Sequence, residues 1–327
     1  MAVQPAQVSA AEITIIQGRR RMRREAGPVG RFQVSMDGVL IVDKLGGMTS
    51  HDVVSRVRRI LKERSIGHLG TLDPMATGVL PLVIGRMTRL AQFYTACEKT
   101  YEGEIRLGFA TDTYDSEGDP TTALQAVSVT LAEVESAAAG FRGVIEQMPP
   151  PFSAKKIQGV PAYKLARKKK EVPLQPVSVE VREIDILALE GDRIRFRARV
   201  ASGTYLRSIA HDLGKVLGVG GHLSSLRRTR VGEFDVADAH SLEALEHAAS
   251  EDRAAELFVH PRQLLPQMPS VTAVPEDVAK IRHGRAVNLP EMSRAPLVKV
   301  FQGQADLIAI ATRVAGTLFH PKVVLGN

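Results

Sequence analysis

Cysteine is almost missing from this chain: Cys97 is the only one in 327 residues. One thiol excludes a disulfide framework and a cysteine-based zinc site within the chain, and it fits a reducing compartment. Long apolar runs are missing too. None approaches the roughly 20 residues a bilayer span requires, and the N-terminus carries no apolar signal core. The expectation is a soluble, cytoplasmic protein with no membrane partner. Internal repeats, a P-loop and a dinucleotide fingerprint are also absent. With 44% apolar and 24% charged residues, the chain has the composition of an ordinary globular protein with a sizeable core. Its length allows two domains, or one large domain and a small one.

The net charge is +7, and it is local. Residues 1–32 hold six arginines against Glu12 and Glu25, a net +4. Residues 152–175 hold six lysines and Arg167 against Glu171, a net +6, so the other residues together are slightly acidic. Concentrated positive charge suits a surface that meets a polyanion, although solvated faces also carry such runs. Residues 1–35 show no sustained periodicity and read as a mobile basic tail, either an RNA-contacting arm or a solvated extension. QMPPPFSAKKIQGVPAYKLARKKKEVPLQP reads as an exposed basic loop.

Between these segments the pattern alternates strand and helix signals. Val39–Val42 and Val79–Ile84 are short apolar runs expected as buried strands. Ser50 is the expected N-cap of a helix that buries Val53, Val54, Val57, Ile60 and Leu61 and turns Arg56, Arg58 and Arg59 away. Tyr101, Gly103, Ile105 and Leu107 alternate with Glu102, Glu104 and Arg106. Thr130 and Glu133 form a capping box. Ile194, Phe196, Ala198 and Val200 face the core of a strand whose opposite face carries four arginines. Residues 241–258 read as helical, and Pro261, Pro266 and Pro269 mark a boundary near 265–272. A small α+β unit follows.

One stretch stands out: SIGHLGTLDPMATGVLPLVIG, residues 65–85. Pro74 biases Asp73 toward extended backbone, glycines flank it, and an apolar strand anchors it from behind. A carboxylate on such a loop is how a fold presents a reactive group, while an Asx turn is the commoner reason for Asp-Pro. Downstream, Asp112 and Asp115 belong to a close group of acids; its spacing is not that of an EF-hand, and turn chemistry explains it as well as a metal does.

GHLGTLDPMATGVLPLVIG closely resembles the central motif of the TruB family of tRNA pseudouridine synthases. Three more segments are similar to that family in the same order: LGFATDTYDSEGDP, ASGTYLRS and GHLSSLRRTRVGEF. The resemblance implies an α+β pseudouridine synthase fold, with a mixed, largely antiparallel central sheet flanked by helices. It implies a catalytic domain over 36–268 with a basic RNA-clamping insertion at about 152–175, and a PUA-like RNA-binding domain over 269–327. The implied reaction isomerises uridine to pseudouridine in tRNA, at uridine 55 of the T loop, without cofactor or metal and with the T-arm as partner. No obligate protein partner is evident, so a monomer is expected.

Residue by residue, Asp73 matches the catalytic nucleophile, and Arg207 is expected to pair with it and favour its charged form. Tyr101 is expected to stack on the target base, although a core tyrosine is the bland reading. Tyr205 lies over the base and is a candidate to help remove its C5 proton. His68 occupies the space opened in the RNA, Leu226 lines the pocket, and Lys44 supports the catalytic loop. Lys155, Lys156, Lys164 and Arg167 contact phosphates. Leu45 stands where the family usually has proline. Two alternatives stay open: a guide-RNA-dependent enzyme acting on ribosomal RNA, and an RNA-binding or RNA-folding protein without catalysis.

Overall fold

The computed structural model describes residues 36–153, 156–157, 160–161 and 174–326. The basic tail expected at 1–35, and Lys155, Lys164 and Arg167, lie outside the described residues; Lys156 is described by its backbone alone.

The chain opens with β1 (Gly38–Lys44), α1 (Ser50–Leu61), β2 (Ile66–His68) and β3 (Thr77–Ile84). After a 3-10 segment over Gly85–Phe93 come β4 (Lys99–Leu107), α2 (Leu131–Ala139) and β5 (Gly143–Gln147). The insertion shows β6 (Lys156–Ile157) paired with β7 (Val160–Pro161), and the chain returns as β8 (Val177–Glu190) and β9 (Arg193–Val200). Then follow α3 (Leu206–Val216), β10 (Gly221–Val231), β11 (Phe234–Asp235) and α4 (Leu242–Ser250). The last unit contains β12 (Ser270–Thr272), α5 (Pro275–Arg282), β13 (Val287–Asn288), β14 (Leu297–Gln302), β15 (Asp306–Ala315) and β16 (Leu318–Val324). Among the described residues no helix is long and apolar enough to cross a membrane.

The main sheet runs β1-β3-β10-β4-β9-β8-β5, with β2 on β3 and β11 on β10. Every pair is antiparallel except β3 with β10, which makes the sheet mixed and largely antiparallel as expected. At that parallel contact Gly78 has φ +99, and a Cβ there would lie 2.2 Å from the carbonyl oxygen of Arg228. Only glycine lets β3 and β10 approach so closely.

Alternation along β1 and β3 sends side chains into two cores. Leu40, Val42, Leu80 and Leu82 join the core under α1, α3 and α4 together with Ile105, Phe196 and Leu213. Val39, Ile41, Val79 and Val83 face the other way and pack with Phe301, Leu307, Ile310, Val323 and Leu325 of the C-terminal sheet. Tight ties join the halves: buried Lys299 donates from Nζ to the carbonyls of Arg262 and Leu264, at 2.9 and 2.6 Å. Glu233 accepts from the Tyr94 hydroxyl at 2.8 Å and from the Leu265 N–H at 2.9 Å. The proline-marked segment is therefore a packed strap between two sheets that share a core.

Two local readings need correction. The N-cap of α1 is Thr49, not Ser50; Thr49 and Asp52 form a reciprocal capping box, worth about 1 kcal/mol, and Ser50 is buried for another purpose. The helix expected over 241–258 stops at Ser250, because Asp252 takes a left-handed φ of 59 and the chain continues as a short 3-10 turn, Ala254–Leu257. Of the four arginines on the outer face of β9, three stand opposite carboxylates. Arg193 pairs with Glu104, Arg197 with Glu102 at 4.0 Å, and Arg199 with Glu98 at 3.1 Å and Glu183 at 2.5 Å. These acids come from β8, from β4 and from Glu98, just before it, so this face is an exposed lattice of opposite charges.

Candidate active site

Asp73 sits in the turn between β2 and β3, and four elements hold it, three of them by the backbone of the turn. From β10, Arg228 donates Nη2 to the Gly70 carbonyl at 3.0 Å, Nη1 to Thr71 at 3.2 Å and Nε to Val79 at 2.8 Å. From α1, the Ser50 hydroxyl donates to the Leu72 carbonyl at 3.2 Å and accepts the Leu72 N–H at 2.8 Å. From the end of β1, Lys44 Nζ donates to Pro74 at 3.1 Å, and to Leu45 and Met48 at 2.9 and 2.7 Å. The Gly47 N–H also donates to the Pro74 carbonyl, at 2.9 Å. With Leu45 in it, the β1–α1 turn is docked on the Asp73 loop, and the Leu45 side chain is exposed.

The fourth hold is on the carboxylate itself. Arg207, in the first turn of α3 and 5% exposed, donates Nη2 to Asp73 Oδ1 at 3.0 Å. Its Nε stands 2.9 Å from Oδ2 as an ion-pair contact, off the hydrogen-bonding direction. The same guanidinium reaches Asp115 Oδ2 at 3.3 Å and donates to the carbonyls of Thr113 at 3.1 Å and Phe152 at 2.9 Å. Asp115 is buried, and its other oxygen accepts from the Thr113 hydroxyl at 2.5 Å and the Glu117 N–H at 3.0 Å. Asp112 in turn accepts the Asp119 N–H at 2.9 Å. Turn chemistry and the arginine account for these acids, and no group of three or more His, Cys, Asp or Glu among the described residues is arranged to hold a metal.

The 109–120 loop is fixed to β10 through Leu223, whose N–H donates to the Tyr114 carbonyl and whose carbonyl accepts from Ser116, both at 3.0 Å. Tyr114 has φ 66 and stacks on His211 with ring centroids 3.9 Å apart. A left-handed tyrosine is strained, and such strain gathers at functional sites. Here it turns Asp115 toward Arg207.

The charges are unequal in setting. Lys44 is fully buried, and loss of hydration pulls its ammonium down to about 8, against the opposing pull of the Asp73 charge. Glu117 is held above the ordinary carboxylate range, first by partial desolvation and then by the Asp115 and Asp73 charges.

Of the residues singled out in the sequence, Asp73, Arg207 and Lys44 come together; Tyr205 is the residue before α3, two positions from Arg207 along the chain. Tyr101, on β4, is 7% exposed, and Leu226, on β10, is 8% exposed; they share a core with Leu72 and Ala76 of the catalytic loop. His68 lies in β2, paired opposite Leu82, and is buried. Arg228, Ser50, Asp115 and Glu117 were not singled out as site residues. The Arg-Arg pair at 227–228 was visible, but only the register separates Arg227, which takes Asp43 from two nitrogens at 3.0 and 2.7 Å, from Arg228 beneath the loop.

Asp73 and buried Asp115 share one buried arginine, which holds the Asp73 carboxylate on the loop between β2 and β3, and the fold is that of a pseudouridine synthase. Two solved structures share it: an H/ACA RNP bound to a substrate RNA containing 2′-deoxyuridine, with TM-score 0.66 and 25% identity over 89% of this chain and 85% of that one; and a Cbf5-Nop10-Gar1 complex, with TM-score 0.65 and 27% identity over 88% and 84%. The description "TruB family pseudouridylate synthase (N terminal domain)" matches residues 58–206, and "tRNA pseudouridylate synthase B C-terminal domain" matches 207–267. The tRNA pseudouridine synthase B of Solibacter usitatus is 50% identical over 89% of this chain and 100% of its own length, and that of Bacillus anthracis 40% identical over 89% and 98%. The chain belongs to the TruB family. Its two family segments meet between Leu206 and Arg207, inside one helix and under one continuous sheet.

Proposed function

We propose that this protein converts uridine to pseudouridine in tRNA, at position 55 of the T loop. The observation that carries the reading is Asp73, locked to Arg207 on a loop whose carbonyls are held by Arg228, Ser50 and Lys44. The reaction breaks the N1–C1′ bond of uridine, turns the uracil, and forms a C5–C1′ bond. The C5 proton leaves and a proton is gained at N1, so atoms balance with no external group and no redox change. The target nucleotide leaves its stack to reach the carboxylate. Asp73 acts at the glycosidic bond, Tyr101 stacks on the base, and Leu226 lines the pocket. Tyr205 lies over the base as acceptor of the C5 proton. His68, at the end of β2, occupies the space opened in the RNA, and Lys44 holds the loop. Burial of Tyr101 against Leu226 supports a base-sized apolar wall.

The substrate is tRNA and not guide-presented ribosomal RNA. Relatives named tRNA pseudouridine synthase B match at 40–50% identity, against 25–27% for the H/ACA-type structures. The enzyme works as a single chain in the cytoplasm. Residues 36–268 form the catalytic unit and 269–327 a PUA-like unit that holds RNA, with Lys155, Lys156, Lys164 and Arg167 of the insertion on phosphates.

The test is incubation with an unmodified tRNA transcript, followed by adduct formation and primer extension. A single stop in the T loop, absent with Asp73→Asn at little changed RNA affinity, is the expected result. Full activity of Asp73→Asn refutes the assignment, and tight binding without modification favours the RNA-binding alternative.

A further inference from the structure

The last residue of β5 makes a contact with the site that the chemistry above does not use. Gln147 is 1% exposed, and its carboxamide meets both polar backbone groups of Tyr205. Oε1 accepts the Tyr205 N–H at 2.8 Å, and Nε2 donates to the Tyr205 carbonyl at 3.1 Å. A side-chain amide here does what a neighbouring strand does in a sheet.

Tyr205 needs such a partner. It precedes α3 with extended φ −102 and ψ 110, and no side chain caps the helix there. Its N–H lies outside the helical ladder, and burying it unpaired costs about 1–3 kcal/mol. The next links are made nearby: the Ser208 hydroxyl donates to the Met148 carbonyl at 2.7 Å, and Arg207 donates to Phe152 at 2.9 Å. The segment from Gln147 to Phe152 is thus stitched to α3 at three points, and only the first falls on Tyr205. Two hydrogen bonds on one residue fix its peptide planes, and these set the direction in which its Cα–Cβ bond leaves the chain.

We infer that Gln147 is a positioning residue for the isomerisation, acting through Tyr205 by fixing the backbone from which the phenol reaches the base. The inference rests on the role of Tyr205 given above. The residue type is specific. Glutamate has no Nε2 donor and would place a charge in a buried site; asparagine is one methylene too short to reach both groups at once.

A double-mutant cycle in turnover of tRNA transcript tests this. Gln147→Ala lowers kcat by about 10- to 100-fold with KM and tRNA affinity unchanged, the loss that a small misplacement of a reacting group produces. In a Tyr205→Ala background, where no phenol is left to position, Gln147→Ala lowers kcat by less than about threefold further. Equal losses in both backgrounds, or a change in KM alone, overturn the inference. Wild-type kcat for Tyr205→Ala removes the role of Tyr205 itself, and with it this proposal. Gln147→Met, which keeps the volume and loses both bonds, repeats the kcat loss in a folded protein. Failure of both Gln147 variants to fold assigns the residue to stability instead.

Discussion

Arginine serves two regions of this molecule in opposite ways. On the outer face of β4, β8 and β9, Arg193, Arg197 and Arg199 stand half exposed, each opposite a carboxylate. Under the Asp73 loop, Arg228 is fully buried, and among the described residues it donates to three peptide carbonyls and to no carboxylate. Coulomb attraction at the outer face is weakened by water, so each pair contributes little. Beneath the loop no water replaces the guanidinium, and each carbonyl it leaves behind is unsatisfied. Charge count therefore says nothing of importance here. Burial and the kind of partner decide.

The sharpest way to break this contrast is Arg228→Met. Removing the guanidinium orphans the carbonyls of Gly70, Thr71 and Val79, each costing about 1–3 kcal/mol, so a loss of at least about 3 kcal/mol is expected in denaturant titration. Pseudouridine formation disappears with it. A variant as stable as wild type would place the loop's rigidity elsewhere.

Lys44→Met gives an intermediate effect with a direction in pH. The folded ammonium titrates near 8 and the unfolded one at 10.5, so between those values the unfolded chain holds more protons. Stability of the wild type relative to Lys44→Met therefore rises as pH climbs from 8 to 10.5 and is flat below 8. Paired melts across that range measure it, and a relative stability that falls with pH contradicts the placement of Lys44. Smallest of all, Arg199→Ala on the outer lattice changes stability by less than about 1 kcal/mol and leaves turnover at its wild-type level. A loss comparable to that of Arg228→Met would erase the distinction between the two regions.

Periodic signals made the frame legible. The strands at 38–44, 77–84, 99–107 and 193–200 and the buried face of α1 follow from alternation and helical spacing, and the capping box at Thr130 follows from three residues. The Thr49–Asp52 box was equally readable, but Ser50 is an equally good capping residue, and only its use by Leu72 in the folded state separates them. β16 carries a weak strand signal because Pro321 stands at one of the buried positions of its alternation. At the site, the Asp73–Arg207 pair was reached through motif resemblance. The hold of Arg228 on the loop and of Arg207 on Asp115 joins residues far apart in the chain, and no local pattern encodes such meetings.

The core shared by β1, β3 and the C-terminal sheet has a mechanical meaning. Two domains joined by a linker can swing, and a swinging pair binds RNAs of many shapes. Here Val39, Ile41, Val79 and Val83 interlock with Phe301, Ile310 and Val323, and Lys299 pins the strap between them. The distance from Asp73 to the far sheet is therefore set by side-chain packing. Parting the two sheets would put that shared apolar surface into water, so the core itself opposes a hinge between them.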